Sequence, residues 1–580
     1  MKIKRYFGLA VIAAMTASCS SNEDLGTAGP GTGTNEAGVG YATFTINLPS
    51  TNGTRAGGDP IYDQGTSDEY DVNDVALLIF KKAGKSEDDY TFVEKADLGN
   101  MAPWKAEGSN GITASATITA KLSKVALTSE GSTSDYYALA ILNNKNSEGK
   151  DKITLPTEST TESTTPPVTY GSWNAASTTD ETKLKDKGFY MANAPVFVEG
   201  GEPTTLVNID KVYATKQKAE TNAATTIHVE RGLAKVTVAS FPTGMTPTGT
   251  NYKSDQVDIT AWNLDVTNKS TFPIHKTTGL TSPFKKIWSA SSNPAPSTGR
   301  FVDGANKAFK RVYWGVDPNY DKDYKKVDDC NKEFNLLEAN AAITGDAATP
   351  QYCLENTFDI MHMLQGQTTR VVFKATYKPA SLPKGETTFY KIGNNTAIWS
   401  EENLKNQIKT VALTAMGITD VKEQAKYGVD LTKGTNISGK AGQHLITADN
   451  ITYSDEAASS EVKENVVKTI NEKLGLISTY LNGEAYYIAR IKHFGNDLTP
   501  WNEGDETYGI NDEDNNKKYL GRYGVLRNNW YELIVHSVSG PGTPDVPKIK
   551  PTDPDDESYR YISVSVKILS WAKRSQNVEL

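Results

Sequence analysis

The sequence predicts a mainly β protein of two β-sandwich domains, with one or two inserted helices and long loops. Three observations predict it. Apolar residues make up 37% of 580 residues, while Thr, Ser, Asn and Gly are abundant, a mix that suits exposed sheets joined by polar loops. Short segments alternate apolar and polar residues or form brief apolar blocks, bounded by Gly, Pro and Asn. The composition fits neither a membrane protein nor a coiled coil. The net charge of −9 disfavours nucleic acid and anionic lipid as partners.

The chain opens with a basic start, Lys2, Lys4 and Arg5, then a short apolar core from Phe7 to Met15. That core is too short for a stable bilayer span. Thr16-Ala17-Ser18 leads into Cys19, the pattern of a lipoprotein signal cut before an acylated cysteine. Thr16 stands where such signals usually carry Leu. Acyl chains would anchor the chain at ~0.8 kcal/mol per buried methylene. The expected plan therefore begins with a signal peptide, 1–18.

Residues 20–40 read as a polar tether. Next, Tyr41 to Leu48 alternates, placing Ala42, Phe44, Ile46 and Leu48 on one face and Tyr41, Thr43, Thr45 and Asn47 on the other. This is a half-buried strand, stopped by Pro49. Arg55 follows in Asn52-Gly53-Thr54-Arg55-Ala56-Gly57-Gly58 and is the only Lys or Arg between positions 6 and 80. Glycine-rich loops are where proteases cut, so an Arg-specific protease would have one target here. Cutting there would free the 41–49 strand and expose an apolar groove with unpaired edges. By charge and context alone, a chance surface arginine is an equal reading. Residues 19–55 are the expected propeptide and 56–224 the first sandwich.

Val75 to Phe80 and Tyr136 to Leu142 read as buried strands. Residues 156–168 form a Ser/Thr/Pro-rich loop. Thr226–Arg231 and Ala234–Val238 are expected to open the second sandwich, spanning 225–540. Residues 256–266 and 370–377 continue the all-β pattern, and Val462, Val466, Ile470 and Leu474 predict a helix within 459–478. Trp530 to Val538 is another strand. Cys330 and Cys353 are either a disulfide, which an exported chain permits, or two buried free thiols.

Five prolines between Gly540 and Asp556 predict an extended linker. Residues 541–558 would reach up to ~60 Å. The last strand then places Ile562, Val564, Val566 and Ile568 on one face, matching the apolar set at 42, 44, 46 and 48 in number. Residues 541–580 are thus a linker and candidate donor strand. Donation to a neighbour would be a heterologous contact able to build a filament; by pattern alone, pairing within its own sheet is somewhat favoured.

The chain resembles the fimbrillins of Bacteroidales (type V pilins), most closely the major subunits of minor fimbriae. The segments that carry the resemblance are Val229-Glu230-Arg231-Gly232-Leu233-Ala234-Lys235-Val236, Leu264-Asp265-Val266-Thr267-Asn268-Lys269, Tyr523 to Tyr531, and Trp571-Ala572-Lys573-Arg574. Ser20-Ser21-Asn22-Glu23-Asp24 is similar to the surface-export signal of lipoproteins from that order. The resemblance implies Greek-key, transthyretin-like sandwiches and an outer-membrane lipoprotein precursor acylated at Cys19. It implies cleavage of the Arg55–Ala56 bond by an Arg-specific protease, loss of strand 41–49, and donation of 561–571 to the next subunit. Its implied partners are further copies of the chain, accessory and anchor subunits, the protease and surface receptors, in a fimbrium supporting adhesion and biofilm formation.

No nucleophile elbow, phosphate-cradling loop or metalloprotease helix is present in the sequence. No enzyme, cofactor or metal site is expected. His228 and His536 lie within strand patterns, and His362 sits between Met361 and Met363. Asn511 to Asn516 is acidic without calcium-loop spacing. The alternatives are a surface-anchored glycan-binding lipoprotein and an accessory or tip fimbrial protein.

Overall fold

The computed structural model describes residues 39–48, 69, 71–98, 115–158, 166–197, 203–278, 312–358, 360–454, 462, 464–493, 521–555 and 562–570. The fold is mainly β, as predicted. The N-terminal half holds β1 (Gly40–Asn47), β2 (Val75–Lys81), β3 (Thr91–Lys95), β4 (Ser115–Leu122), β5 (Tyr136–Leu142), β6 (Met191–Asn193), β7 (Val207–Asn208) and β8 (Thr225–Arg231). They form one sheet in the order β3-β2-β5-β6-β8-β1-β4, with β7 on β5. Asp97, just past β3, exchanges backbone hydrogen bonds of 3.1 and 2.9 Å with Lys121 of β4. The sheet therefore folds over into two layers facing a shared core. Leu77 and Ile79 face that core, while Leu78 and Phe80 face a second one, which is why β2 reads as an apolar block.

Helices α1 (Tyr170–Ala176), α2 (Glu181–Lys185) and α3 (Lys216–Glu220) are short. Each starts at a Thr or Asp whose side chain accepts a backbone N–H of the first turn, the usual way to satisfy donors that have no partner within the helix.

The C-terminal half begins with β9 (Leu233–Val238), β10 (Gln256–Asp265), β11 (Thr267–Asn268), α4 (Val327–Glu333), β12 (Phe334–Asn335), β13 (Gln351–Leu354) and β14 (Arg370–Lys378). An insertion follows, with β15 (Phe389–Ile392), α5 (Glu401–Met416), α6 (Val421–Gln424), β16 (Tyr427–Val429), β17 (Gly442–His444), β18 (Ile451–Tyr453), α7 (Glu464–Leu474) and β19 (Ile477–Tyr480). The chain returns through β20 (Glu484–Arg490), β21 (Asn529–Val538) and β22 (Ile562–Ser570). Sheet β13-β9-β21-β22 packs on β10-β14-β20, with Val236, Trp262, Phe373, Tyr487 and Leu533 in the core between them.

Two features depart from the sequence reading. Thr226–Arg231 does not open the second sandwich: β8 pairs with β6 and β1, and the chain crosses to the other sheet at Gly232. The expected helix is α7, but a longer one, α5, also forms. Ser400 caps its start, Leu404, Ile408 and Ala412 are buried, and Gly417 ends it at φ 72°, the left-handed conformation that glycine adopts without strain. Both helices pack in one cluster with β15 and β19, making the insertion a body with its own core.

The two halves meet over buried charge. The Glu69 side chain is fully buried, and its Oε1 lies 2.8 Å from Lys235 Nζ of β9. The same oxygen accepts the Tyr352 hydroxyl of β13 at 2.6 Å, and Arg231 Nε donates to the Glu69 carbonyl at 2.7 Å. Lys235 Nζ stands 3.7 Å from the centre of the Trp530 ring, where the ring face attracts a cation. Removing one partner of a buried pair leaves a desolvated charge. Glu69→Ala is expected to destabilise the protein by about 3–5 kcal/mol, read as a lowered denaturant midpoint, with Glu69→Gln less damaging because its amide oxygen still accepts.

Candidate functional site: a filled strand slot and the last strand

The first candidate element is β1. It lies inside its sheet, antiparallel to β4 from Gly40↔Leu122 to Asn47↔Ser115, and parallel to β8 from Phe44↔Thr225 to Asn47↔His228. Tyr41 exchanges backbone hydrogen bonds of 2.7 and 2.8 Å with Tyr213. Ala42, Phe44, Ile46 and Leu48 are all buried, at 1%, 0%, 1% and 5% exposure. They pack on Ile118, Leu122, Ala140 and Ile227. On the other face, Thr43 and Thr45 pair their hydroxyls with Thr119 and Thr117 at 3.0 and 3.2 Å. Gly40 fits closely: a Cβ there would lie 2.5 Å from Val212 Cγ1. The site is therefore a slot between β4 and β8 that an alternating segment of eight residues fills.

Cys19, Arg55 and Ala56 lie outside the described residues. Beyond Leu48, the next described residue is Glu69, held at the junction of the two halves.

The second candidate element is β22. It pairs antiparallel with β21, from Asn529↔Ser570 to Val538↔Ile562, and forms one margin of its sheet. Val564 lies opposite Val535 and packs against the second-sandwich core. Ile562, Val566 and Ile568 take register positions opposite Val538, Leu533 and Tyr531. In this chain, then, the last strand sits on its own sheet while β1 fills the slot.

The proline-rich stretch before it is fastened to the second sandwich over its described length. Tyr487 and Tyr480 hydroxyls donate to the carbonyls of Gly540 and Gly542 at 3.0 and 2.7 Å. Thr543 and Tyr486 exchange backbone hydrogen bonds of 2.9 and 2.8 Å. Val546 is buried, the Arg370 guanidinium donates to the Pro547 carbonyl, and a buried ion pair joins Arg490 to Asp555. The sequence reading missed these partners. Extended, proline-rich chain gives no hint of what it will lie against.

Cys330 and Cys353 are free and buried. Burial pushes the Cys330 thiol up to about 11 and Cys353 still further, so neither is a reactive thiolate. His362 meets Asp323 at 3.2 Å. Burial lowers the pKa of His228. Among the described residues no group of three His, Cys, Asp or Glu could hold a metal ion. Asn511 to Asn516 lie outside the described residues.

Two sandwiches, one with an alternating strand inside its sheet and one with its last strand at a margin, define a two-sandwich β protein. Residues 478–577 match the family model described as major fimbrial subunit protein type IV, fimbrillin, C-terminal. This C-terminal region, from β19 past β22, belongs to the fimbrillin family. No curated protein matches the chain. Similar solved structures include a fimbrilin (fimA) from Porphyromonas gingivalis, at 11% identity and TM-score 0.37, with 92% of this chain and 99% of that one covered. Another is the tip fimbrial protein Mfa3 from Porphyromonas gingivalis, at 11% identity and TM-score 0.26, with 92% and 100% covered. A third is a fimbrial assembly protein from Parabacteroides distasonis, at 12% identity and TM-score 0.25, with 62% and 93% covered. With identities and scores this low, the three likenesses carry no argument of their own.

Phe44 has no exposure and sits at the centre of the slot. Phe44→Ala is expected to cost about 3–5 kcal/mol, measured by denaturant unfolding of the full chain.

Proposed function

We propose that the chain is the structural shaft subunit of a surface fimbria, exported as a lipoprotein acylated at Cys19. An Arg-specific protease cuts the Arg55–Ala56 bond. Strand β1 then leaves, and the last strand of a neighbouring copy, through Ile562, Val564, Val566 and Ile568, enters the slot. Each copy thus lends one strand and receives one, and the contact propagates without closing. Accessory and anchor subunits would end the filament, and adhesion and biofilm contact would follow from its surface. The role is structural rather than catalytic.

One observation carries this reading: a buried, alternating strand sits inside a sheet, upstream of the only basic residue between positions 6 and 80. Burying Phe44, Ile46 and Leu48 is worth ~1.5–3 kcal/mol each, so vacating the slot creates a strong demand for a replacement. The replacement must alternate and have comparable length, and the C-terminal strand satisfies both.

Two results test it. Arg55→Ala is expected to leave precursor monomers and no filament in electron micrographs; filaments of normal length from that variant would refute the proteolytic trigger. Deleting residues 559–580 is expected to leave a folded subunit that cannot join a chain. Unimpaired polymers from the deletion would count against donation.

A further inference from the structure

We propose that the N-terminal sandwich carries a binding site for a neutral saccharide of one or two rings, in the cavity between β7 and the outward face of β8. The cavity has a volume of about 710 Å³, within the ~300–1,000 Å³ range of small-molecule sites. Its wall includes Thr226 and His228 of β8, the strand that borders the slot, on the face turned away from the first-sandwich core.

Its wall has the two surfaces a sugar ring needs. One is aromatic: Tyr90 and Tyr137 both line the cavity, with ring centres 4.7 Å apart and planes inclined at 53°. Tilted tyrosines offer an apolar face to ring C–H groups and a hydroxyl at the edge. The other surface is made of short polar groups. Asn208 donates through Nδ2 to the carbonyls of Ser134 and Tyr136 at 2.8 and 3.3 Å. That fixes the side chain and turns its acceptor oxygen elsewhere. Thr226 and Thr277 add hydroxyls, and Thr277 is 96% buried by its 4% exposure.

The charges on the wall favour an uncharged ligand. Lys85 is exposed. Glu87 Oε2 is occupied by the backbone N–H groups of Thr205 and Leu206 at 2.8 and 3.0 Å. Burial raises the Glu87 pKa to about 7, so near neutrality this carboxyl exists in both forms and can donate or accept toward a hydroxyl. Burial also holds His228 below its ordinary pKa, which keeps the ring neutral. An anion would face Glu87, and a hydrocarbon would strand the amide and hydroxyls.

Alternation places the site. Ile227 and Val229 of β8 face the core, so Thr226 and His228 face the cavity. These two residues stand opposite Thr45 and Asn47 of β1.

The test uses the full chain and saturation-transfer NMR with glucose, galactose, N-acetylglucosamine and lactose, and sialyllactose as the anionic counterpart. At least one neutral sugar is expected to bind with Kd ~1 mM or tighter. Thr226→Arg, at an exposed position, is expected to weaken it by about tenfold or more without changing Tm, and Thr277→Val to weaken it by a smaller factor. No saturable neutral-sugar binding below ~10 mM would overturn the proposal. So would binding that both variants leave intact, or a preference for sialyllactose over lactose. Filament formation is read separately, so failure here leaves the assembly reading standing.

Discussion

The first sandwich depends on the slot between β4 and β8 being filled. Backbone donors and acceptors on both sides of β1 are used, and buried backbone polar groups are strongly disfavoured when unpaired. The same strand closes the core with Phe44 and Ile46. An empty slot would therefore expose two strand edges and an apolar trough at once. Any segment that fills it must satisfy the ladder on two sides and the core on one. That requirement limits the occupant to an extended, alternating peptide of about β1's length.

This limit explains why a proteolytic step suits the proposed assembly. In the intact chain, moving β22 into a neighbour would break its ladder with β21 and meet a slot already filled. The exchange would trade one set of hydrogen bonds for another, at the entropic cost of association. Once β1 has been cut free and lost, the slot has no local competitor. The incoming strand then gains the burial that β1 gave up, and hydrolysis of a peptide bond makes the step one-way.

How legible each part was follows from how local its cause is. The alternation of 41–48 needs only its own side chains, so β1 could be read directly. The apolar blocks of β2 and β5 could be read as buried, though not that they bridge two cores. Helix α5 was missed although its signals were present: Ser400, the Leu404–Ile408–Ala412 spacing and Gly417. The polar residues between them hid its weak apolar stripe. The crossing at Gly232 was misplaced because Thr226–Arg231 and Leu233–Val238 look alike as strands, and only their distant partners assign them to different sheets. Glu69, Lys235, Arg490 and Asp555 were illegible as buried residues, since charge normally signals surface. Their burial rests on partners far away in sequence.

Those buried charges define what can move. Glu69 fastens the chain to the second half downstream of the proposed cut, so release on the N-terminal side ends there. Asp555, paired with Arg490, fastens the chain just before β22, so on the C-terminal side only what lies beyond it is available to a neighbour. The extended reach of ~60 Å for 541–558 therefore does not apply while residues 540–555 stay docked. Under the proposed exchange, the donor subunit would have to approach closely, with its second sandwich near the acceptor's slot. In the proposed assembly, two buried ion pairs thus bound the two segments that would exchange, and the spacing of subunits would follow from where those pairs sit rather than from the length of the linker.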